Sequence, residues 1–216
     1  MVDDLLAVPG LATLGTRERE RLVQIASRNG WDPNWLAAAI SHESGWQPKA
    51  KNSTSSASGI MQWTAATAKG LGTTTEAIRR MSVYEQLPLV ETFFRSASGG
   101  RPIRKTDFLA LAMGAAACPE LEDACELYRA GSAGAKANPN YQNAEGAITV
   151  GRVRSELADF VGRYSKRLPV KTDREWATTG GPGLSRGVGL GAAAALSLAG
   201  IGFVWGTTRQ RRRPRR

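Results

Sequence analysis

Histidine and cysteine are scarce in this chain, and their scarcity narrows the chemistry available to it. Among 216 residues there is one histidine, His42, and there are two cysteines, Cys118 and Cys125. One histidine and two cysteines do not make a zinc site, so we expect no metal and no cofactor. The cysteines lie seven residues apart on either side of Pro119. That spacing permits a bridge without establishing one, and we favour two small buried thiols.

Alternating apolar and polar residues, the pattern of a half-buried strand, are also lacking. The chain instead carries runs with helical spacing, separated by turns that contain glycine or proline. The sequence therefore predicts an all-α fold, with at most a minor hairpin in the loop that follows residue 43. Helices are predicted over residues 16–27, 33–44, 73–81, 83–97, 106–118, 119–130 and 149–167, with a shorter run ending at residue 69.

The first residues lack the basic segment and the long apolar core of a secretory signal. We interpret residues 1–14 as a loose leader and residues 15–168 as the folded domain. Residues 169–186 are polar and rich in glycine and proline, which is typical of a linker. A membrane helix over 187–206 and an arginine-rich tail over 207–216 complete the predicted organisation.

The stretch from Gly187 to Gly206 carries no charge over 20 residues. That length suits a helix crossing about 30 Å of hydrocarbon, and Trp205 fits an interfacial anchor. The last eight residues, Arg209 to Arg216, hold six of the 29 basic residues, so the strong basicity of the chain is largely a property of this tail. The tail is expected to remain on the cytoplasmic side, and it could bind anionic lipid or DNA phosphate. A buried helix or a flexible tail is the plainer alternative for 187–206.

Glu43 is the candidate catalytic residue. Asp32 is placed to cap the helix that carries it, and Gly45 is placed to end that helix. Leu36, Ile40 and Glu43 share one face, so the carboxyl ends an apolar stripe in the last helical turn. Partial burial and the helix dipole both raise its pKa, as a general acid requires. A solvated glutamate in the last turn is the alternative from position alone.

The residues after Glu43 decide between these alternatives. Glu43-Ser-Gly-Trp46, a small polar loop and then Gly59-Ile-Met-Gln62 resemble the soluble lytic transglycosylase-like family, most strongly over residues 37–72. A looser similarity over residues 107–153 is to the bacteriophage versions of that domain. The resemblance implies a lysozyme-like fold and cleavage of the glycan strand of peptidoglycan between N-acetylmuramic acid and N-acetylglucosamine.

The resemblance also implies roles for individual residues. Glu43 acts as the acid and then as the base, while the muramic acid 6-hydroxyl closes onto C1 and gives a 1,6-anhydro product. No second carboxyl is evident near Glu43, as expected if the substrate supplies the nucleophile. His42 points about 100° away from Glu43 on the helix, and we interpret it as incidental, with a place in the lining of the cleft as the lesser alternative. The expected substrate-binding residues are Ser44, Gly59, Ile60, Met61, Gln62 and Tyr141, with Tyr128 as the second choice for the cleft tyrosine.

The predicted topology suggests where such an enzyme acts. A basic tail on the cytoplasmic side of the membrane places the domain on the outer side, yet an export signal is not evident. This tension disappears if the chain is built into a virus particle, together with other virion proteins, and opens the host wall locally as the genome is delivered. The alternatives are a hydrolytic muramidase on the same fold, a non-catalytic wall-binding or structural membrane protein, and an enzyme of the bacterial inner membrane that faces the periplasm.

Overall fold

The computed structural model describes residues 4–118 and 120–170, and most of the regular structure in them is helical. The α-helices are α1 Thr16–Arg28, α2 Pro33–Ser44, α3 Ala65–Gly70, α4 Thr75–Arg80, α5 Val83–Ser98, α6 Asp107–Ala112, α7 Ala133–Ala137 and α8 Val150–Gly162. Short 3-10 helices span Leu11–Thr13, Ala115–Ala117 and Pro139–Tyr141. The strands are β1 Asp4–Leu6, β2 Glu126–Tyr128, β3 Ile148–Thr149 and β4 Arg167–Pro169.

Helix α2 lies at the centre of the fold and has the ends that the sequence predicts. The Asp32 carboxylate accepts a hydrogen bond from the Asn34 amide at 2.9 Å, and Gly45 ends the helix in the left-handed conformation at φ 59°. Nine of the twelve residues of α2 are buried, because α1, α6, α8 and β1 pack around it. The last turn of α2, which carries Glu43, is therefore held on several sides.

The fold is mostly helical, as predicted, but two small antiparallel sheets go beyond the minor hairpin that the prediction allowed. Strand β1 pairs with β4, from Asp4 opposite Pro169 to Leu6 opposite Arg167, and β2 pairs with β3. Ser58, in the loop after Glu43, also makes isolated bridges to Lys51 and Trp63. Strands of two or three residues are too short to show an alternating pattern, which is why the sequence did not reveal them.

The interpretation of residues 1–14 as a loose leader is wrong for the part that the structure describes. Leu5, Val8 and Leu11 are buried in the hydrophobic core. The amide of Leu6 donates to the Asn34 side chain at 2.7 Å, which attaches β1 to α2. Apolar residues at these positions bury surface against α2, and that burial fixes the segment although it carries no helical pattern.

The segment after Cys118 also departs from the prediction. No helix lies within residues 120–130; this stretch forms turns and then β2. Cys118 and Cys125 are joined by a disulfide, so the preference for two buried thiols was wrong. The helix predicted over 149–167 ends at Gly162, since the chain then turns to form β4. The helix predicted over 106–118 stops at Ala112 and continues as a 3-10 turn.

A buried ion network fixes α8 against α6. The Asp107 carboxylate, which is fully buried, accepts from the Arg154 Nε at 2.7 Å and from the Arg104 amide at 3.0 Å. Arg154 also pairs with Asp123, inside the loop that the disulfide closes. Each guanidinium and carboxylate therefore has a partner, as buried charges require. The network sets the position of α8, one face of which reaches the site described below.

Beyond residue 170 the chain lies outside the described residues. The predicted membrane span over 187–206, the tail over 207–216 and nearly all of the predicted linker fall there. Within residues 4–118 and 120–170, no helix combines the length and the apolar character needed to cross a membrane.

Candidate active site

Glu43 is a buried carboxyl in the last turn of α2. Glu43 as a whole residue is only 4% exposed to solvent. Burial penalises the charged form and raises the pKa of Glu43 to about 8. The carboxyl is therefore mostly protonated at neutral pH, which is the state that a general acid needs.

A cavity of about 420 Å³ opens beside Glu43. The end of α2, the loop around the 3-10 helix Pro139–Tyr141, and α8 form its walls. Its size falls in the range of small-ligand sites. The lining residues that enter the argument below are His42, Glu43, Tyr141, Glu156, Phe160 and Arg163.

Tyr141, the first choice for the cleft tyrosine, lines this cavity, while Tyr128 does not. Burial is the main cause of a raised pKa at Tyr141, and the negative charges of Glu43 and Glu156 add to it. The hydroxyl of Tyr141 therefore remains protonated and can donate a hydrogen bond. Tyr128 donates instead to the Met113 carbonyl at 3.2 Å, within the protein.

His42 also lines the cavity, which corrects its interpretation as incidental. Its Nδ1 lies 3.3 Å from the Tyr141 hydroxyl, and its ring packs edge-on against Phe160 with centroids 5.2 Å apart. Burial lowers the pKa of His42, an effect that the charge of Glu156 partly opposes. The imidazole is thus neutral near pH 7, and one ring nitrogen can either donate a hydrogen bond to the Tyr141 hydroxyl or accept one from it.

The other predicted substrate residues do not line the cavity. The Ser44 hydroxyl donates to the Ile60 carbonyl at 2.8 Å, which ties the end of α2 to the Gly59–Gln62 turn. The Gln62 side chain donates to the Gly59 carbonyl at 2.9 Å, and Met61 is packed in the core at 3% exposure. The turn therefore holds the end of α2 next to Glu43. A direct role in substrate binding stays a prediction for Ser44, Gly59, Ile60, Met61 and Gln62.

Gln86 holds this turn in place, and sequence reasoning missed it. Its side chain is fully buried; Oε1 accepts from the Ile60 amide at 2.9 Å. Its Nε2 donates to backbone carbonyls, including that of Pro48 at 2.9 Å. Gly59, which lies beside Gln86, has a φ of +79°, and a Cβ added to it would lie 2.6 Å from the Gln86 Oε1. A buried glutamine in a helix gives no pattern that would have revealed it.

Glu156 is a second carboxyl of the cavity that sequence reasoning did not find. It lies on α8, where its carboxylate pairs with Arg152 at 3.4 Å. Glu156, Phe160 and Arg163 follow each other at i, i+4 and i+7, so they share a helical face. That spacing is visible in the sequence, but only the fold shows that this face turns towards Glu43. No cluster of three or more His, Cys, Asp or Glu side chains within the described residues is arranged to hold a metal ion.

The comparisons with known proteins concern the first half of this site. Residues 22–86 match the family model Transglycosylase SLT domain. The match supports a lytic transglycosylase-type activity with peptidoglycan as the substrate, and the mostly helical structure is consistent with the lysozyme-like fold. The matched residues include Glu43 and the Gly59–Gln62 turn, whereas Tyr141 and α8 lie beyond them. No curated protein sequence matches the chain.

Proposed function

We propose that this protein is a lytic transglycosylase that cleaves the bond between N-acetylmuramic acid and N-acetylglucosamine and leaves a 1,6-anhydromuramic end. One observation carries the proposal. The buried carboxyl of Glu43, with a pKa of about 8, borders a cavity and lies inside the segment that matches the transglycosylase domain. A protonated carboxyl at a cavity wall is suited to protonate a leaving oxygen at neutral pH.

The reaction needs this carboxyl twice. Glu43 first donates its proton to the glycosidic oxygen as the bond from that oxygen to muramic acid C1 breaks, and positive charge develops on the sugar. The 6-hydroxyl of the same muramic acid then bonds to C1, and the Glu43 carboxylate takes the hydroxyl proton. Glu43 is protonated again at the end, and no water is consumed. Tyr141 lines the same cavity, and its hydroxyl can donate to the sugar when the His42 ring nitrogen donates a hydrogen bond to it.

A hydrolytic muramidase is the second candidate, and Glu156 is the observation in its favour. Hydrolysis by a pair of carboxyls requires a second Asp or Glu near the acid, and Glu156 lines the same cavity as Glu43. Its carboxylate is partnered by Arg152, and only a quarter of its side chain is exposed. The two reactions give different products, because the hydrolytic one adds a water molecule to the muramic acid end.

The test is digestion of purified peptidoglycan by the full-length protein, with product masses measured by mass spectrometry. Anhydro ends are expected from the wild-type protein, and no products from Glu43→Gln, whose amide cannot donate a proton to the leaving oxygen. Glu145→Gln, at an exposed site away from the cavity, is the matched control and should remain active. Reducing ends would replace the proposal by hydrolysis. Products from a folded Glu43→Gln protein would refute the role of Glu43, and no products from a folded wild-type protein would favour a binding or structural role.

For the setting, we propose a membrane-anchored virion protein that opens the host wall during genome delivery. The Cys118–Cys125 disulfide supports action outside the cytoplasm, because disulfides persist in oxidising surroundings and are reduced in the cytoplasm. Peptidoglycan also lies outside the cytoplasm. The anchor over 187–206 and contacts of the tail with anionic lipid or DNA are predictions from sequence. Co-purification of the protein with virus particles tests the virion role, and flotation with lipid vesicles of the full chain and of a chain cut after residue 186 tests the anchor.

A further inference from the structure

The loop between Cys118 and Cys125, which their disulfide closes, lies against the first turn of α8, and we call it the disulfide loop. The first amides of an α-helix have no acceptor within the helix. In α8 the Val150 amide donates to the Cys125 carbonyl at 3.0 Å. The next amide, that of Gly151, donates to the Asp123 carbonyl at 2.9 Å. A Cβ on Gly151 would lie 2.8 Å from the Asp123 Cβ, so the disulfide loop is in close contact with the start of the helix.

The disulfide loop is also attached to the segment that precedes α6. The Arg101 side chain donates to the Cys118 carbonyl at 2.9 Å. The Arg104 side chain donates to the Leu121 carbonyl at 3.0 Å. Backbone carbonyls of the disulfide loop therefore connect this segment to α8, and they can do so only while the loop keeps its shape.

The disulfide is the strongest constraint on that shape. Among the described residues of the loop, only Cys118 and Leu121 are buried, so apolar packing holds little of it. The ion pair of Asp123 with Arg154 lies at the surface, where the Asp123 side chain is 75% exposed and the pair contributes little. A short exposed segment with few buried apolar contacts opens readily once the covalent bond that joins its ends is broken.

We propose that the disulfide loop is a redox-sensitive latch on the candidate active site. Closed by the disulfide, the latch holds α8, which packs against α2 and lines the cavity beside Glu43. Opened by reduction, it releases the first turn of α8 and lowers the rate of cleavage. The proposal rests on the proposed function, because the latch acts on the geometry around Glu43. Full activity then belongs to oxidising surroundings, where disulfides persist.

The switch is a thiol–disulfide exchange with a dithiol reductant. The reductant attacks at Cys125, which is half-buried, rather than at the buried Cys118, and a mixed disulfide forms. The second thiol of the reductant then displaces the Cys125 sulfur. The S–S bond of the protein is broken and both cysteines become thiols, while the reductant leaves as its own disulfide. Two electrons and two protons thus pass from the reductant to the protein, and a disulfide oxidant reverses the exchange.

The experiment measures kcat/KM of the full-length protein on soluble peptidoglycan strands before and after treatment with dithiothreitol. We expect reduction to lower kcat/KM about tenfold, because small displacements within a catalytic site reduce rates on this scale or more. Reoxidation with oxidised glutathione should restore the rate. The double variant Cys118→Ser, Cys125→Ser is the matched control. It has no bond to reduce, so it should show the lower rate both with and without dithiothreitol.

Hydrogen–deuterium exchange gives a second readout that does not depend on activity. Reduction should speed exchange of the amides in the first turn of α8, which donate to the disulfide loop. Exchange in α5 should stay unchanged. The comparison separates the opening of a local latch from a general loss of stability, and it can be made on the reduced wild-type protein if the double variant does not fold.

An unchanged rate after loss of the disulfide, verified by alkylation of both thiols and mass measurement, would overturn the proposal. Exchange that becomes faster in α5 as well as in α8 would also overturn it, because the disulfide would then support the whole fold. Absence of cleavage by the oxidised protein would refute the proposed function and the effect on rate with it. The exchange experiment would still decide whether reduction opens the latch.

Discussion

The hydroxyl of Tyr141 lies 3.3 Å from Nδ1 of His42, a contact between residues 99 positions apart in the chain. His42 immediately precedes Glu43, so this contact places the tyrosine next to the candidate acid. Because burial lowers the pKa of His42, the imidazole is neutral, and its tautomer decides whether it accepts a hydrogen bond from the Tyr141 hydroxyl or donates one to it. The pair joins the last turn of α2 to the loop that forms the opposite wall of the cavity.

Tyr141→Phe should lower kcat/KM by about tenfold and leave the fold intact. The substitution removes one buried hydroxyl that can donate to substrate, and a hydrogen bond of this kind contributes about 1 kcal/mol or somewhat more. Rates on peptidoglycan strands and thermal unfolding would be measured together. Tyr84→Phe removes a hydroxyl that contacts Arg21 on the surface and serves as the control with an unchanged rate. Equal rates for the wild type and Tyr141→Phe would remove Tyr141 from the site.

The alkaline limb of the pH–rate profile should report Glu43. Burial raises the pKa of this carboxyl to about 8, and the first step needs the protonated form. We therefore expect kcat/KM to hold up to about neutral pH and to fall tenfold per unit well above pH 8. Initial rates on soluble strands would be measured from about pH 5 to about pH 10. This range lies between the ordinary pKa values of glutamate and lysine and includes the raised pKa of Glu43. A limb centred near the ordinary glutamate value would show that the catalytic carboxyl is exposed to water.

Glu43 should also make the fold less stable as the pH rises. Its pKa is higher in the folded chain than in the unfolded one, so the folded state holds the proton more tightly. The free energy of unfolding therefore decreases between about pH 4.5, the ordinary value, and about pH 8. Glu43→Gln lacks this dependence, and at pH 7 it should be more stable than the wild type by about 3 kcal/mol. Urea unfolding at pH 5 and pH 7 tests the sign. A variant that is less stable at pH 7 would contradict the assignment.

Gly59→Ala should destabilise the fold by about 3 kcal/mol or more. A Cβ at this position would lie 2.4 Å from the Ile78 Cγ2, in a backbone conformation that alanine disfavours. Gly72→Ala is the matched control, because Gly72 has a similar φ of +73° with no atom within 4 Å of an added Cβ. Only the conformational penalty of about 1 kcal/mol applies there. Similar losses in the two variants, measured by urea unfolding, would show that the contacts around Gly59 are not tight.

Local patterns allowed the centre of the site to be predicted from sequence. Asp32, Pro33 and Gly45 mark the ends of α2 through caps that depend on neighbouring residues alone, and the structure confirms them. The spacing on that helix predicts that Glu43 is partly buried, which the structure confirms, whereas its choice as the acid came from the family resemblance of the residues that follow it and stays a prediction. The Gly59–Gln62 turn was recognised from its residues, yet its packing against Gln86 depends on a helix that begins more than 20 positions later.

The parts that escaped prediction depend on contacts between distant segments. Glu156 lies 113 positions after Glu43, and its face reaches the cavity through the packing of α8 against α2 and α6, to which the ion network around Asp107 contributes. The disulfide was not predictable for a similar reason. Seven-residue spacing suits several backbone paths, and the chain takes the one that brings Cys118 and Cys125 together through turns and a short strand.

The pairing of β1 with β4 has a consequence for the order of folding. Asp4 and Pro169 are partners across nearly the whole described chain, so this sheet can close only after β4 has been synthesised. Contacts between such distant segments form late and slow the folding of small domains. Helix α8, which completes the cavity, directly precedes β4. A chain still emerging from the ribosome therefore lacks a complete cavity around Glu43 until residues 150–169 have been synthesised and have packed against the rest of the fold.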